Sequence, residues 1–186
     1  MAIPKSIGAI ELSSIGVGYQ VQDELLKAGA VELLTARTIC SGKYIIIVGG
    51  AVDDVRSAVR AGLDASGEAI IDHLLIPNVH PGVFPALGQS VVLKEAQAEA
   101  LGVLETFSGV SIIAAADAAA KAGEVTLFRL HVAMALGGKG FCLLTGRHAD
   151  VLAAVAAGAA EARQRGLLVS QVVIPRPSRE LFGDYL

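Results

Sequence analysis

The chain has 186 residues, 53% hydrophobic and 18% charged, with a formal charge of −3, a mass of 19.0 kDa and a mean hydropathy of +0.60. This composition excludes a disordered chain, which would be poor in apolar residues and rich in charge. With 15 Lys+Arg against 18 Asp+Glu and no basic run, it also excludes a nucleic-acid binder that tracks phosphates.

In chain order, the apolar run 6–12, with Glu11 inside it, predicts a strand. Val17, Val21, Leu25 and Ala28 recur at helical spacing and predict a helix over 17–29, closed by Gly29 at C′. Residues 31–39 and 43–48 read as strands separated by Cys40-Ser41-Gly42, and Gly49-Gly50 reads as a turn. A second helix follows over 52–66, with Asp53 and Asp54 in the first turn, where the helix dipole favours negative charge. A fourth strand over 70–76 stops at Pro77, and a short helix runs to Leu87. Residues 88–98, with Lys94 and Glu95, form a linker. Beyond it come a strand at 100–106, a helix at 110–122, strands at 125–135 and 139–145, a helix at 148–164 and a strand at 167–174.

The second set repeats the first. Residues 7–14 match 101–108 at an offset of 94, which holds at Asp23/Asp117, Lys27/Lys121, Gly29/Gly123 and Val31/Val125. The offset becomes 96 at Gly42-Lys43/Gly138-Lys139 and 98 at Ile76-Pro77/Ile174-Pro175. So many ordered matches mark a duplicated domain of about 90 residues. The expected domains are 1–87 and 99–186. Strand, helix, strand, strand, helix, strand is the split-βαβ, ferredoxin-like order, an α+β fold with both helices on one face of a four-stranded antiparallel sheet. With 31 Ala, 21 Gly and little charge, further surface is expected to be hidden at subunit interfaces.

Signals for catalysis are weak. Gly42-Lys43 and Gly138-Lys139 lack the upstream Gly and the following Ser/Thr of a phosphate loop, and Gly16-Val17-Gly18 lacks the third Gly of a dinucleotide fingerprint. His73, His80, His131 and His148 share no ligand-like spacing, and Asp72-His73 reads as an exposed edge pair. No nucleophile–base set stands out, so the expectation is not an enzyme. No apolar stretch reaches the roughly 20 residues of a membrane span, and no secretory h-region follows Met1. Two cysteines are too few for a disulfide scaffold and fit a cytoplasmic setting.

Ile7-Gly8-Ala9-Ile10-Glu11-Leu12-Ser13-Ser14, Thr38-Ile39-Cys40-Ser41-Gly42-Lys43-Tyr44, Ile76-Pro77-Asn78-Val79-His80 and Val173-Ile174-Pro175-Arg176-Pro177 together resemble the tandem-domain shell proteins of bacterial microcompartments. The resemblance covers residues 6–182. It is strongest to the unpermuted branch with an iron–sulfur centre, found in propanediol-utilisation compartments. It implies a homotrimer whose six domains make a pseudo-hexameric tile, which joins other shell proteins edge to edge. An encapsulated redox enzyme is a further implied partner, and neither nucleic acid nor membrane is expected. The resemblance places Lys27, Lys121, Asn78 and Arg176 at the tile edge. Ile39, Cys40, Ser41, Gly42, Leu136, Gly137 and Gly138 would line the central pore. A [4Fe–4S] centre normally takes four thiolates. Three copies of Cys40 on the axis would supply three, giving one cluster per trimer for electron transfer across the shell. Cys142, inside an apolar strand, reads as buried and inert. Two other readings stay open: an open metabolite pore without a cluster, and a ferredoxin-like trimer that binds a small regulatory molecule.

Overall fold

The computed structural model describes residues 4–93 and 99–183. The predicted linker residues Lys94 and Glu95 lie outside them. The elements run β1 (Ser6–Leu12), α1 (Ile15–Ala28), β2 (Glu32–Ile39), β3 (Lys43–Gly50), α2 (Val52–Ser66), β4 (Ile70–Pro77), α3 (Val83–Leu87), β5 (Ala100–Thr106), α4 (Gly109–Ala122), β6 (Val125–Val132), β7 (Gly140–Gly146), α5 (His148–Gln164) and β8 (Leu168–Pro175). They form two four-stranded sheets with the same antiparallel order, β2-β3-β1-β4 and β6-β7-β5-β8. Two tandem split-βαβ domains of α+β class are therefore present.

Alternation along β1 sends Ile10 and Leu12 to the helix side of the first sheet. There they join Ile46 and Val48 of β3, Val21 and Leu25 of α1, and Val55 and Val59 of α2 in one buried cluster. Each such side chain, fully buried, contributes about 1.5–3 kcal/mol. Small residues let the helices approach the sheet: a Cβ on Gly8 would lie 2.5 Å from Val59. The opposite face of the second sheet is covered within its own unit, where Leu93 and Phe182 pack on Leu101 and Phe128. Both first helices start at a serine whose hydroxyl accepts backbone N–H groups. Ser14 takes that of Val17, and Ser108 takes those of Val110 and Ser111.

Three local expectations are corrected. Gly29 is not a left-handed C′ residue: its φ is −156°, extended backbone open to any side chain. Glycine is needed because a Cβ there would stand 2.4 Å from the Asp54 carbonyl oxygen. Gly49 and Gly50 make no turn but pair with Ile7 and Ser6 at the end of β3. The strand predicted to reach residue 135 ends at Val132, since Ala133 and Ala135 have φ of 54° and 59°, outside any strand conformation.

The chain divides into two compact units. One comprises the residues through Val79 together with Ala133–Gly138, and the other His80–Val132 with the residues from Lys139. The short helix α3, assigned from sequence to the first domain, packs on β6 and α4 in the second unit. Among the described residues no helix is long and apolar enough to cross a membrane. His73, on edge strand β4, is exposed, as read from sequence.

Candidate metal centre and edge residues

Cys40 opens the tight turn between β2 and β3, with Ser41 (φ 65°) and Gly42 (φ 71°) both left-handed. Gly42 adopts this conformation at no steric cost, whereas Ser41 does so against a preference of about 1–2 kcal/mol. Ile39, the last residue of β2, is buried, whereas Ser41 and Gly42 are exposed and Cys40 is half-buried.

The loop Ala133–Gly138 belongs to the same compact unit as this turn. The Cys40 N–H donates to the Ala133 carbonyl at 3.2 Å. Ala133, Ala135, Gly137 and Gly138 all have positive φ, at 54°, 59°, 63° and 88°. Such curled backbone turns successive N–H groups toward one point and makes an anion-binding concavity. The amides of Leu136 and Gly138, and more weakly those of Gly137 and Ala135, face the Cys40 thiol and hold it below the ordinary thiol range. Lys43 runs beside the loop: a Cβ on Gly138 would lie 3.4 Å from its ammonium. The structure thus brings Cys40 together with Leu136, Gly137 and Gly138, residues nearly a hundred positions away.

This environment fits a thiolate metal ligand. Cys40 is only half-buried, and the amides facing its sulfur stabilise negative charge on it. One chain supplies a single such ligand, because among the described residues no three His, Cys, Asp or Glu side chains gather to hold a metal. Cys142 does not qualify. It is fully enclosed in β7, and burial pushes its thiol up to about 12.

The lysines Lys27 and Lys121 each end a helix and pair one turn back, with Asp23 and Asp117. Asp117 is held further, accepting the His80 N–H at 2.7 Å. Asn78 and Arg176 follow β4 and β8 as exposed residues with φ of 54° and 48°. Asn tolerates this region, and Arg enters it at a cost. The Arg176 N–H donates to the Glu99 carbonyl at 3.1 Å, and its side chain lines a cavity with His148 and Arg179.

Two ion pairs escaped the sequence reading. Glu11 of β1 meets Lys43 of β3 at 2.9 Å, and the equivalent Glu105 of β5 meets Lys139 of β7 at 2.6 Å. The Lys139 ammonium, with a hydrogen bond from Ser170, holds the Glu105 carboxyl below the ordinary carboxylate range. The available signal was a charged residue at the same place in both copies of an apolar strand.

Comparison with known proteins accounts for this duplicated frame. The BMC domain model matches residues 6–79 and again 100–177. The chain belongs to the BMC-domain family. Over 179 residues, 96% of each chain, it is 40% identical to the bacterial microcompartment shell protein PduT of Citrobacter freundii. It is 45% identical over 85 residues to the shell protein EutM of Salmonella typhimurium, a match spanning 45% of this chain and 84% of EutM. The crystal structure of a microcompartment protein from Desulfitobacterium hafniense superposes with a TM-score of 0.86 at 45% identity, covering 95% of this chain and 97% of the other. The fused permuted shell protein MSM0275 shares the fold, at TM-score 0.60 and 24% identity over 85% of this chain and 81% of its own. This BMC protein is a tandem microcompartment shell protein. Each of its halves runs from the Gly-x-x-Glu strand to the Ile-Pro strand, the unpermuted order.

Proposed function

We propose that three copies of this shell protein form a pseudo-hexameric tile whose central pore holds one [4Fe–4S] cluster, ligated by Cys40 of each copy. The observation that carries this reading is the amide-lined turn at Cys40, a setting that favours a thiolate. Three thiolates against the usual four would leave one iron open to a small ligand. When bound, the cluster supplies one-electron transfer, here across the shell. Each chain's own part is to present the Cys40 sulfur and to offer it the N–H groups of Leu136–Gly138. Hydrogen bonds to sulfur favour the reduced, more negative state of such a centre. Lys27, Lys121, Asn78 and Arg176 serve the tile edge in this reading, where neighbouring shell proteins join. An encapsulated redox enzyme is the fitting electron partner.

The test is made on protein purified without oxygen, beside Cys40→Ala. A broad visible absorption with about four irons and four sulfides per trimer, lost in the variant, is the expected result. Trimers that stay free of iron after reconstitution would overturn the cluster and leave a tile with an open pore at Cys40 and Ser41.

A further inference from the structure

The second half carries a cavity of about 640 Å³ where β8 ends beside the start of α5. Its walls are Glu99, His148, Pro175, Arg176, Pro177 and Arg179, all within one compact unit. That volume suits a metabolite-sized ligand. Two guanidinium groups and an imidazole border one space. Arg176 keeps its left-handed φ of 48° there, tied through its N–H to the Glu99 carbonyl at 3.1 Å. Backbone held in such a region is a feature of ligand sites.

The duplication supplies an internal comparison. His148 is the first residue of α5, where Val52 is the first of α2. Arg176 follows β8 as Asn78 follows β4, both with positive φ. At the same offset of 98, Arg179 corresponds to Pro81. Three positions that are uncharged in the first half therefore carry basic side chains around one cavity in the second. Glu99 changes in the opposite sense, since its counterpart at the offset of 94 is Lys5. The fold requires none of these four exchanges, because the first half builds the same strand order and the same left-handed turn without them.

We infer that this cavity binds a small phosphate ester that carries a hydroxyl group. A guanidinium fork matches phosphate oxygens two at a time. Arg176 and Arg179 bring two forks, and His148 adds a third donor from the head of α5. Glu99 is the one acid on the wall among the described residues. An ionised carboxylate only accepts hydrogen bonds, so beside a phosphate it favours a ligand that brings its own hydroxyl. Part of its charge is offset outside the cavity, since the Arg147 guanidinium, held charged first by Asp150, also feels Glu99. The rings of Pro175 and Pro177 give the ligand's carbons an apolar wall. This site goes beyond the edge role given to Arg176 above. It is complete within one chain and needs neither the cluster nor the ring.

The test is calorimetric titration of the full chain with glycerol 3-phosphate, inorganic phosphate and glycerol. Saturable binding of glycerol 3-phosphate at one site per chain is expected, tighter than inorganic phosphate, with no binding of glycerol. Arg176→Asn restores the residue that the first half carries at this left-handed position, so it removes the cation and keeps the turn. It and Arg179→Gln are each expected to weaken binding by about tenfold or more, as loss of a charge-assisted hydrogen bond does. Arg163→Gln, on α5 but outside the cavity, is expected to bind as the unmodified chain does. Absence of saturable binding, or equal affinity in Arg176→Asn and Arg179→Gln, would overturn the site. Equal affinity for inorganic phosphate and the ester would overturn the ester as its ligand.

Discussion

Glu11 Oε1 and Lys43 Nζ stand 2.9 Å apart on neighbouring strands, the carboxylate fully enclosed and the ammonium side chain 22% exposed. The pair ties the strand that ends the Cys40 turn to the centre of the first sheet. Its copy, Glu105–Lys139, is more open, at 29% and 40%. Removing one partner of an enclosed pair leaves the other charge without compensation. Glu11→Gln is thus expected to cost about 3 kcal/mol of stability or more. Glu105→Gln is expected to cost about 1 kcal/mol or less, since solvent screens that pair. Urea unfolding of the two variants measures the difference.

The second pair also sets a pH dependence. The Glu105 carboxyl is held below its ordinary value of 4.5, first by the Lys139 ammonium and then by Ser170. A depressed carboxylate stabilises the fold above its unfolded pKa and loses that contribution as pH falls through the folded value. The stability gap between wild type and Glu105→Gln should be constant above about pH 5.5 and shrink steadily below 4.5. A gap that widened on acidification would contradict the pairing.

The two cysteines should react at very different rates. Cys40 is half-exposed with amides facing its sulfur, and Cys142 is enclosed with its thiol pushed up to about 12. Thiolate is the reactive form. Iodoacetamide at pH 8 on iron-free native protein is expected to label Cys40 alone, with Cys142 labelled only after unfolding. Peptide mass spectrometry reads this directly.

Gly29 and Gly123 each face a backbone carbonyl of the helix that follows the third strand of its half. An added Cβ would lie 2.4 Å from Asp54 O in the first half and 2.8 Å from Asp150 O in the second. Gly29→Ala and Gly123→Ala should each destabilise by about 1–3 kcal/mol, the former more. Gly16→Ala, where an added Cβ meets nothing within 4 Å, should not destabilise and serves as the control in thermal unfolding.

The edge role proposed for the lysines predicts a separation of two assemblies. Lys27→Asp and Lys121→Asp should leave trimers intact by light scattering and abolish sheets or tubes in electron micrographs at high protein concentration. Trimers that fell apart would place these lysines within the ring instead.

The order of elements and the duplication were legible in the sequence because both are local signals. Val17, Val21 and Leu25 keep helical spacing whatever they pack against, and Ser14 and Ser108 cap the helices that follow them. The recurrence of Glu11 as Glu105 and of Lys43 as Lys139 was visible too. That each glutamate would meet its lysine depended on strand order: β3 lies beside β1, and β7 beside β5.

Gly29 was legible as a helix end but not for its reason, since the oxygen that excludes a side chain belongs to Asp54 in another helix. The family resemblance grouped Cys40 with Leu136–Gly138 around one pore, without saying how they meet within a chain. Only the tertiary structure decided that the amides of that loop face the Cys40 sulfur. Local periodicity reflects the chain's own geometry over a few residues. A hydrogen bond between residues nearly a hundred positions apart depends on where sheets and loops bring the backbone, which no local pattern encodes.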